Sequence, residues 1–385
     1  MATRPKRAYF RNDLNGQETL FSDPGAMIVA WAAEDFLPAL DRVEQARADG
    51  KWLAGYISYE AGYLLDPALK ALLPTNRRAP LLCFGVFDGP ADTSTLDRDR
   101  ANEQTNSFLV EPRATWGPDH YAEKFERLHR HLREGDCYQG NLTFPVEARW
   151  GGDPFAVFNA LRQRQPVRYA SFIDLDGPIV VSRSPELFFQ VARDRWIETL
   201  PMKGTAPRGK TPQEDEALKT FLGNDPKNQA ENRMIVDLLR NDISRISEVG
   251  TLDVPELFRV ESYPTVHQMV SRVRARLIEG LTFRDILAGL FPCGSITGAP
   301  KISVMKILRA LEDKPRDVYC GAIGWIAPTG EMRFSVAIRT ISLFPDGEAV
   351  YNIGGGVVFD STAEGEYEEC LLKGRFATGE APAFT

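Results

Sequence analysis

Apolar residues recur along this chain with two periods. Tyr121, Phe125, Leu128 and Leu132 return to one face of a 3.6-residue repeat and predict a helix that stops at Gly135. The same repeat predicts helices over residues 32–48, 154–164, 212–222, 226–246, 282–290 and about 362–376, and Val304, Ile307, Leu308 and Leu311 make one further apolar face. Alternation of two predicts strands at 51–59, 81–87, 168–175, 179–182, 186–191, 195–200, 319–326, 333–343 and 349–353, and another through Leu142, Phe144, Val146 and Ala148. Strands interrupted by helices, several joined as hairpins, indicate an α+β fold with large, mostly antiparallel sheets. Residues 91–106, rich in Asp, Thr and Asn, read as a linker or exposed loop.

Composition narrows the class of molecule. A chain of 385 residues that is 43% apolar can fill a substantial core. Its net charge of −7, with both signs interspersed, argues against nucleic acid or an anionic membrane as the main partner. An anionic small substrate would therefore need local positive charge or a metal. No apolar run is long enough to span a bilayer, and residues 1–7 are not followed by a signal core, so a cytoplasmic location is expected. The cysteines at 83, 137, 293, 320 and 370 are scattered and read as reduced thiols in or near the core, while only four histidines argue against a His-rich metal site.

Candidate chemistry centres on Pro201-Met202-Lys203-Gly204-Thr205, where one lysine sits between proline and glycine after a strand. There the backbone is expected to turn and aim the side chain at a cavity, or simply at solvent. Glu231 shares a helix face with Met234 and Leu238, and Glu366, Glu369 and Lys373 share another. Carboxylates on inward faces must be paired, protonated or bound to a cation, so Glu231 and Glu369 either make salt bridges or meet at a hard ion such as Mg²⁺. Ser295, Thr297 and Gly298 precede Pro300 at a helix start suited to an anion, or to nothing. Gly354-Gly355-Gly356, following a strand, allow close approach to a ligand or make a turn. Ser184-Pro185-Glu186 opens a strand and points a carboxylate at whatever lies beside Lys203. For Arg339 and His267 the structural alternatives are a paired arginine and a satisfied core histidine.

Taken together, Ser184-Pro185-Glu186, Pro201 to Arg208, ENRMIVDLLRND from Glu231, FPCGSITGAPK from Phe291, GAIGWIAPTGEMRFSVAIRT from Gly321 and the stretch from Gly354 to Lys373 resemble, in order and spacing, the chorismate-utilising enzyme family. The resemblance covers about residues 121–375. It implies the fold typified by anthranilate synthase component I, a sandwich of two large, mostly antiparallel β-sheets flanked by helices. Residues 1–110 would form an N-terminal subdomain contributing to the sandwich, and 111–385 the chorismate-binding catalytic region. It further implies a Mg²⁺ site at Glu231, Glu369 and Glu366, with Arg339, Tyr319, Lys373, Gly355, Gly356, Thr205, Gln139 and His267 around the substrate.

Lys203 matches the members that aminate chorismate at C4, whereas anthranilate- and isochorismate-forming members usually carry alanine there. By that resemblance Lys203 would add at C2 as the C4 hydroxyl leaves, Glu186 would protonate the departing hydroxyl, and ammonia would then add at C4 and expel the lysine, giving 4-amino-4-deoxychorismate for p-aminobenzoate and folate synthesis. Ammonia would come from a separate glutamine amidotransferase subunit, because no glutamine-hydrolysing segment is visible. The alternatives are an anthranilate-forming component I and a non-catalytic binding protein of the same fold. Gly140, Cys293 and Gly355 depart from the family's usual residues, and the Leu-Leu-Glu-Ser pattern of tryptophan-inhibited members is absent from residues 1–90.

Overall fold

The computed structural model describes residues 4–96, 107–263 and 266–384. Two sheets form it. The first runs, neighbour to neighbour, through Glu18–Ser22, Arg7–Arg11, Tyr169–Asp174, Ile179–Ser184, Thr340–Leu343, Glu348–Val357, Gln139–Gly151, Phe108–Ala114 and Ala383–Phe384. The second runs through Met202–Pro207, Val266–Arg276, Trp196–Leu200, Leu187–Val191, Met332–Val336, Ala322–Ile326, Trp52–Ile57, Leu82–Phe87 and Ala26–Ala30, with Asp253–Ser262 beside Val266–Arg276. Among the described strand pairs the short contact of Ala383–Phe384 with Phe108–Ala114 is parallel and the others are antiparallel. The expected α+β sandwich is the observed one.

Alternation explains how the sheets stack. Successive side chains of a strand point to opposite faces, so Ala8, Phe21, Ile173 and Val180 of the first sheet meet Ala54, Tyr56 and Ile323 of the second in one buried layer. The outer face of the first sheet is covered by the helices Pro118–Glu134, Pro154–Arg164, Lys301–Leu311 and Ala363–Gly374. Tyr121, Phe125, Leu128 and Leu132 are the buried stripe of Pro118–Glu134, and Gly135, at φ 81°, ends that helix as predicted. Ala33–Ala48 and Phe283–Leu290 cover the second sheet through Phe36, Leu40, Val43, Phe283 and Leu287. Each such side chain contributes on the order of 1.5–3 kcal/mol by leaving water.

Several elements differ from the sequence reading. The single strand expected over 333–343 is two: Met332–Val336 belongs to the second sheet and Thr340–Leu343 to the first, so the chain changes sheet between them. Alternation persists across that corner because both halves bury one face, and periodicity is blind to which sheet a strand joins. The predicted strand 319–326 begins only at Ala322, after Cys320 at φ 63°. The stretch between helices Pro226–Ser244 and Phe283–Leu290 forms the antiparallel pair Asp253–Ser262 and Val266–Arg276. In the expected loop 91–106, Ala91 bridges to Leu20 and Leu96 is buried in a short helical turn, while 97–106 lies outside the described residues. All five cysteines are buried and unpaired, as expected.

Candidate active site

The site lies where the edge of the second sheet meets helix Pro226–Ser244 and the glycine-bearing strand of the first. Lys203 is not in a turn, as its Pro-Lys-Gly setting suggested. Pro201 closes the strand Trp196–Leu200, and Lys203 is the second residue of the next one, Met202–Pro207. The pairing of that strand with Val266–Arg276 slips between Met202 and Thr205, a bulge made possible by Gly204 at φ 93°. A bulge re-aims the side chain beside it. The Lys203 ammonium is thus carried to 3.6 Å from Glu231 Oε2, and a Cβ on Gly356 would stand only 3.2 Å from Lys203 Nζ.

The three glycines are also not a turn after a strand. Gly354, Gly355 and Gly356 continue the strand Glu348–Val357, opposite Thr143, Leu142 and Asn141. Alternation then assigns their faces. A Cβ on Gly355 would lie 2.5 Å from Glu366 Oε2, whereas one on Gly356 would lie 3.0 Å from Gln139 Nε2 on the lysine side. Gln139 is 1% exposed, and neither its amide nitrogen nor its amide oxygen has a hydrogen-bond partner among the described residues. A buried amide with no partner is costly and points to a missing ligand or water.

Helix Ala363–Gly374, capped by the Thr362 hydroxyl, supplies the other carboxylates. Glu366 accepts a 2.7 Å hydrogen bond from Ser361 Oγ, yet burial, joined by the like charge of Glu369, raises its pKa. Glu369 pairs at 2.7 Å with Lys373, which also donates to Gly354 O at 3.0 Å. Burial opposes ionisation of Glu369, but Lys373, Lys203 and Lys227 outweigh it and hold its pKa down. Glu231 thus pairs with Lys203 directly, and the Lys203 charge also reaches Glu366 and Glu369. Glu231 is half-buried at the rim, while the buried face of its helix carries Asn232, Ile235, Val236 and Leu239. Among the described residues, the three metal-ligating side chains whose donor atoms come within 4.8 Å of one another are a different set, His131, Glu134 and Asp136, at the surface end of Pro118–Glu134.

Glu186 does face Lys203, as its motif suggested. It is 5% exposed and accepts a 2.7 Å hydrogen bond from Ser295 Oγ. Burial pushes its pKa up to about 7, against the lowering effects of Ser295 and Lys203. Ser295 belongs to the helix start that the sequence leaves open between an anion site and nothing. Its loop is instead stitched to the first sheet: Asn141 N donates to Thr297 O at 2.9 Å, Tyr138 N to Ala299 O at 2.8 Å, and Gly298 and Ala299 pair with Gly140 and Gln139. Pro300 precedes the helix Lys301–Leu311 and is not its first residue.

Arg339 is on neither strand; it stands at the corner between them with φ 50°. Cys320 N donates to Ala337 O, and Ala337 N to Gly321 O, both at 2.9 Å, which draws the turn bearing Tyr319 alongside this corner. Among the described residues the Arg339 guanidinium has no carboxylate partner, and burial alone lowers its pKa to about 10. Tyr319 is 8% exposed, and burial raises its pKa well above the usual phenol range. His267 is fully buried, with ring nitrogens 2.9 Å from Ser262 Oγ and 3.0 Å from Asp215 Oδ1. Both nitrogens are thereby engaged away from Lys203. Thr205 is exposed on the same strand as Lys203. Asn232, not among the residues expected at the site, donates its amide toward Lys203 O at 3.5 Å, and its Oδ1 accepts from Ser271 Oγ at 2.6 Å. Polarity on a buried helix face was the available signal.

A two-sheet sandwich with an amine, a buried acid, grouped carboxylates and an unpaired guanidinium defines a site for a small polyanion. The sequence matches the family of chorismate binding enzymes over residues 5–379, and the chain belongs to that family. It is 41% identical to aminodeoxychorismate synthase component 1 of Klebsiella aerogenes over 304 residues, covering 79% of this chain and 67% of that relative. It is 35% identical over 343 residues, 83% of this chain and 72% of the relative, to anthranilate synthase component 1 of Methanothermobacter thermautotrophicus. The crystal structure of anthranilate synthase component I from Streptococcus pneumoniae superposes with a TM-score of 0.79 at 26% identity, covering 98% of this chain and 93% of the other. The fold is therefore the anthranilate synthase component I-like sandwich. Among the described residues no helix is long and apolar enough to cross a membrane.

Proposed function

We propose that this chain is the component I of an aminodeoxychorismate synthase, aminating chorismate at C4 to 4-amino-4-deoxychorismate for p-aminobenzoate and folate synthesis in the cytoplasm. The observation that carries this reading is the Lys203 ammonium set against Gly356, close enough to the buried Glu186 for its charge to act on that carboxyl. Its relatives named aminodeoxychorismate synthase component 1 support it.

In the proposed reaction the neutral Lys203 amine bonds to C2 of chorismate. The C1=C2 and C5=C6 double bonds shift to C1=C6 and C4=C5, and the C4–O bond breaks with the proton of Glu186 going to the leaving hydroxyl, which departs as water. Ammonia then bonds to C4, both double bonds shift back, the C2–N bond to Lys203 breaks, returning the amine, and the ammonium formed at C4 returns a proton to Glu186. Glu186 is suited to the acid role because its burial keeps a proton available near neutral pH. Arg339 and Lys373 offer cations to the substrate carboxylates, and the Gln139 amide, otherwise unsatisfied, offers a donor and an acceptor beside the amine. The all-oxygen donor set of Glu231, Glu366 and Glu369 fits Mg²⁺, which takes few carboxylates and completes its shell with water and substrate oxygens. When bound, Mg²⁺ would orient a substrate carboxylate and neutralise its charge. Ammonia would be delivered by a glutamine amidotransferase partner or taken from solution.

The test is incubation of the chain with chorismate, ammonium and Mg²⁺, with products identified by chromatography and mass, beside Lys203→Ala. The expected result is aminodeoxychorismate from the native chain and at least a hundredfold less from the variant. Anthranilate with pyruvate would instead assign the chain to the anthranilate-forming branch, and no turnover at saturating ammonium would leave a binding role.

A further inference from the structure

Beside the site lies a buried ion pair whose side chains make no hydrogen bond to the groups assigned a chemical role, although Arg316 O accepts from Tyr319 N at 3.1 Å. Arg316 is 2% exposed. Its guanidinium binds Glu312 through two hydrogen bonds of 2.8 and 2.6 Å. It spends two further donors on backbone carbonyls, Ile296 O at 2.9 Å and Asn141 O at 2.7 Å. Those carbonyls belong to different elements. Ile296 follows Ser295, the residue that holds Glu186, and Asn141 is two residues from Gln139 in the strand facing Gly356. Glu312 extends the tie, accepting from both Thr143 N and Thr143 Oγ1 at 3.0 Å. From the far side the Tyr59 ring packs 4.4 Å from the guanidinium, and Glu60 accepts from Arg316 N at 2.7 Å. Four of the five guanidinium N–H groups are engaged: the planar fork grips one carboxylate, one loop and one strand at once, which a point-charged lysine cannot reproduce.

Arg316 does not reach the lysine or the acid. What it does is fix the distance between the loop 294–299 and the strand Gln139–Gly151, hence between Glu186 and the Gln139–Gly356 wall that both bound the substrate space. We infer that Arg316, held by Glu312, is a positioning residue for this reaction: it clamps the Ser295 loop to the Gln139 strand so that the acid and the lysine address opposite ends of one substrate. The inference rests on the reaction proposed above. Misplacing a reacting group by about 1 Å can cost on the order of a hundredfold in rate.

Arg316→Lys is the test, with kcat and KM for chorismate measured at saturating ammonium and hydrogen exchange followed through residues 138–143 and 294–299. Glu312→Gln carries the same expectation should the lysine variant not fold. The expected result is a kcat lowered about a hundredfold with KM within about threefold, and faster exchange at the Asn141 amide while the interior of the sandwich stays protected. Combining Arg316→Lys with Ser295→Ala is expected to cost no more than about twofold beyond the worse single variant, because both act through the same loop. An unchanged kcat, a loss confined to KM, single-variant losses that multiply, or unaltered exchange would each overturn the clamp. Should the native chain form no aminated product, the reaction falls on its own, and the exchange measurement still decides whether Arg316 holds the two segments together.

Discussion

Replacing Ser295 with alanine should move the pH profile of this enzyme in a direction that only a buried acid explains. Glu186 titrates near 7 because burial outweighs the hydrogen bond from Ser295 and the charge of Lys203. Ser295 Oγ, 2.7 Å away, stabilises the ionised form. A hydrogen bond to a charged group contributes roughly 1.5–3 kcal/mol, and one pH unit corresponds to about 1.36 kcal/mol, so Ser295→Ala should raise the Glu186 pKa by about one to two units. A general acid works protonated. The alkaline limb of kcat, near pH 7 in the native chain, should therefore shift upward by that amount, even though the plateau falls from lost positioning. The assay is kcat against pH at saturating chorismate, with the concentration of free ammonia held constant so that its own titration does not shape the curve. A limb that stays in place or moves down would refute the assignment of Glu186 as the acid. Stability offers an independent reading of the same group. The folded-state pKa lies above the unfolded value of 4.5, so the folded protein keeps a proton that the unfolded chain releases; stability is whole below 4.5 and declines as pH rises through about 7. The decline should reach about 3 kcal/mol by linkage, and Glu186→Gln should abolish that part of it in denaturant titrations at pH 5 and 8.

Mg²⁺ should raise the melting temperature of the chain alone, since a ligand at a hundred times its Kd adds about 2.7 kcal/mol; Glu369→Gln or Glu231→Gln should remove most of the rise, and a rise retained by both would place the ion elsewhere. Arg339→Met should increase KM for chorismate at least tenfold, by loss of a charge-assisted contact, and yet leave the melting temperature equal or higher, because Arg339 has no carboxylate partner among the described residues. Gly356→Ala should lower kcat/KM through Lys203 and Gln139, which its methyl would meet, whereas Gly355→Ala should raise the Mg²⁺ concentration needed for activity, because its methyl would meet Glu366 Oε2 at 2.5 Å; an unchanged Mg²⁺ requirement in Gly355→Ala would contradict the assignment of faces.

Much of this was legible in the sequence, and what escaped has a common cause. The stripe of Tyr121, Phe125, Leu128 and Leu132 fixed one helix, and Gly135 its end, because helix periodicity and its capping are local properties. The two-layer class followed from alternation. The corner at Arg339 did not, because the same period-two pattern serves either sheet. Lys203 was misread as a turn residue for a related reason. Proline and glycine around it signal a break, and the break is a bulge defined only by the strand it pairs with, Val266–Arg276, for which the sequence pattern predicts no element. Glu231, Glu366 and Glu369 are marked by carboxylates on helix faces, whereas Tyr319, Gln139 and Thr205 enter only through the family resemblance. Arg316 went unnoticed because its partners Asn141 and Ile296 are distant in sequence and offer only backbone carbonyls, which carry no side-chain signature.

Buried polar atoms without a partner occur in several places among the described residues, on Tyr56, Tyr121, Asn159 and Tyr351 for example, but around Lys203 such atoms coincide with charged groups held off balance, and that coincidence is the physical argument for where chemistry occurs. Arg316 and Glu312, though deeply buried, are bound to each other through two hydrogen bonds, as stability requires of buried charge. Arg183 is likewise buried and ion-paired, with Asp13, although its Nη1 has no partner among the described residues. The opposite holds around Lys203: Gln139 has an idle amide, Arg339 has no carboxylate among the described residues, Glu186 is held near neutral pH, and Glu366 crowds Glu369. Each is a cost to folding that an anionic ring substrate and a divalent ion would together relieve. A chain selected for stability alone would exchange them for ion pairs like that of Arg316 with Glu312. Keeping several charged and polar groups uncompensated around one lysine is what a site prepared for a charged ligand, rather than for its own core, requires.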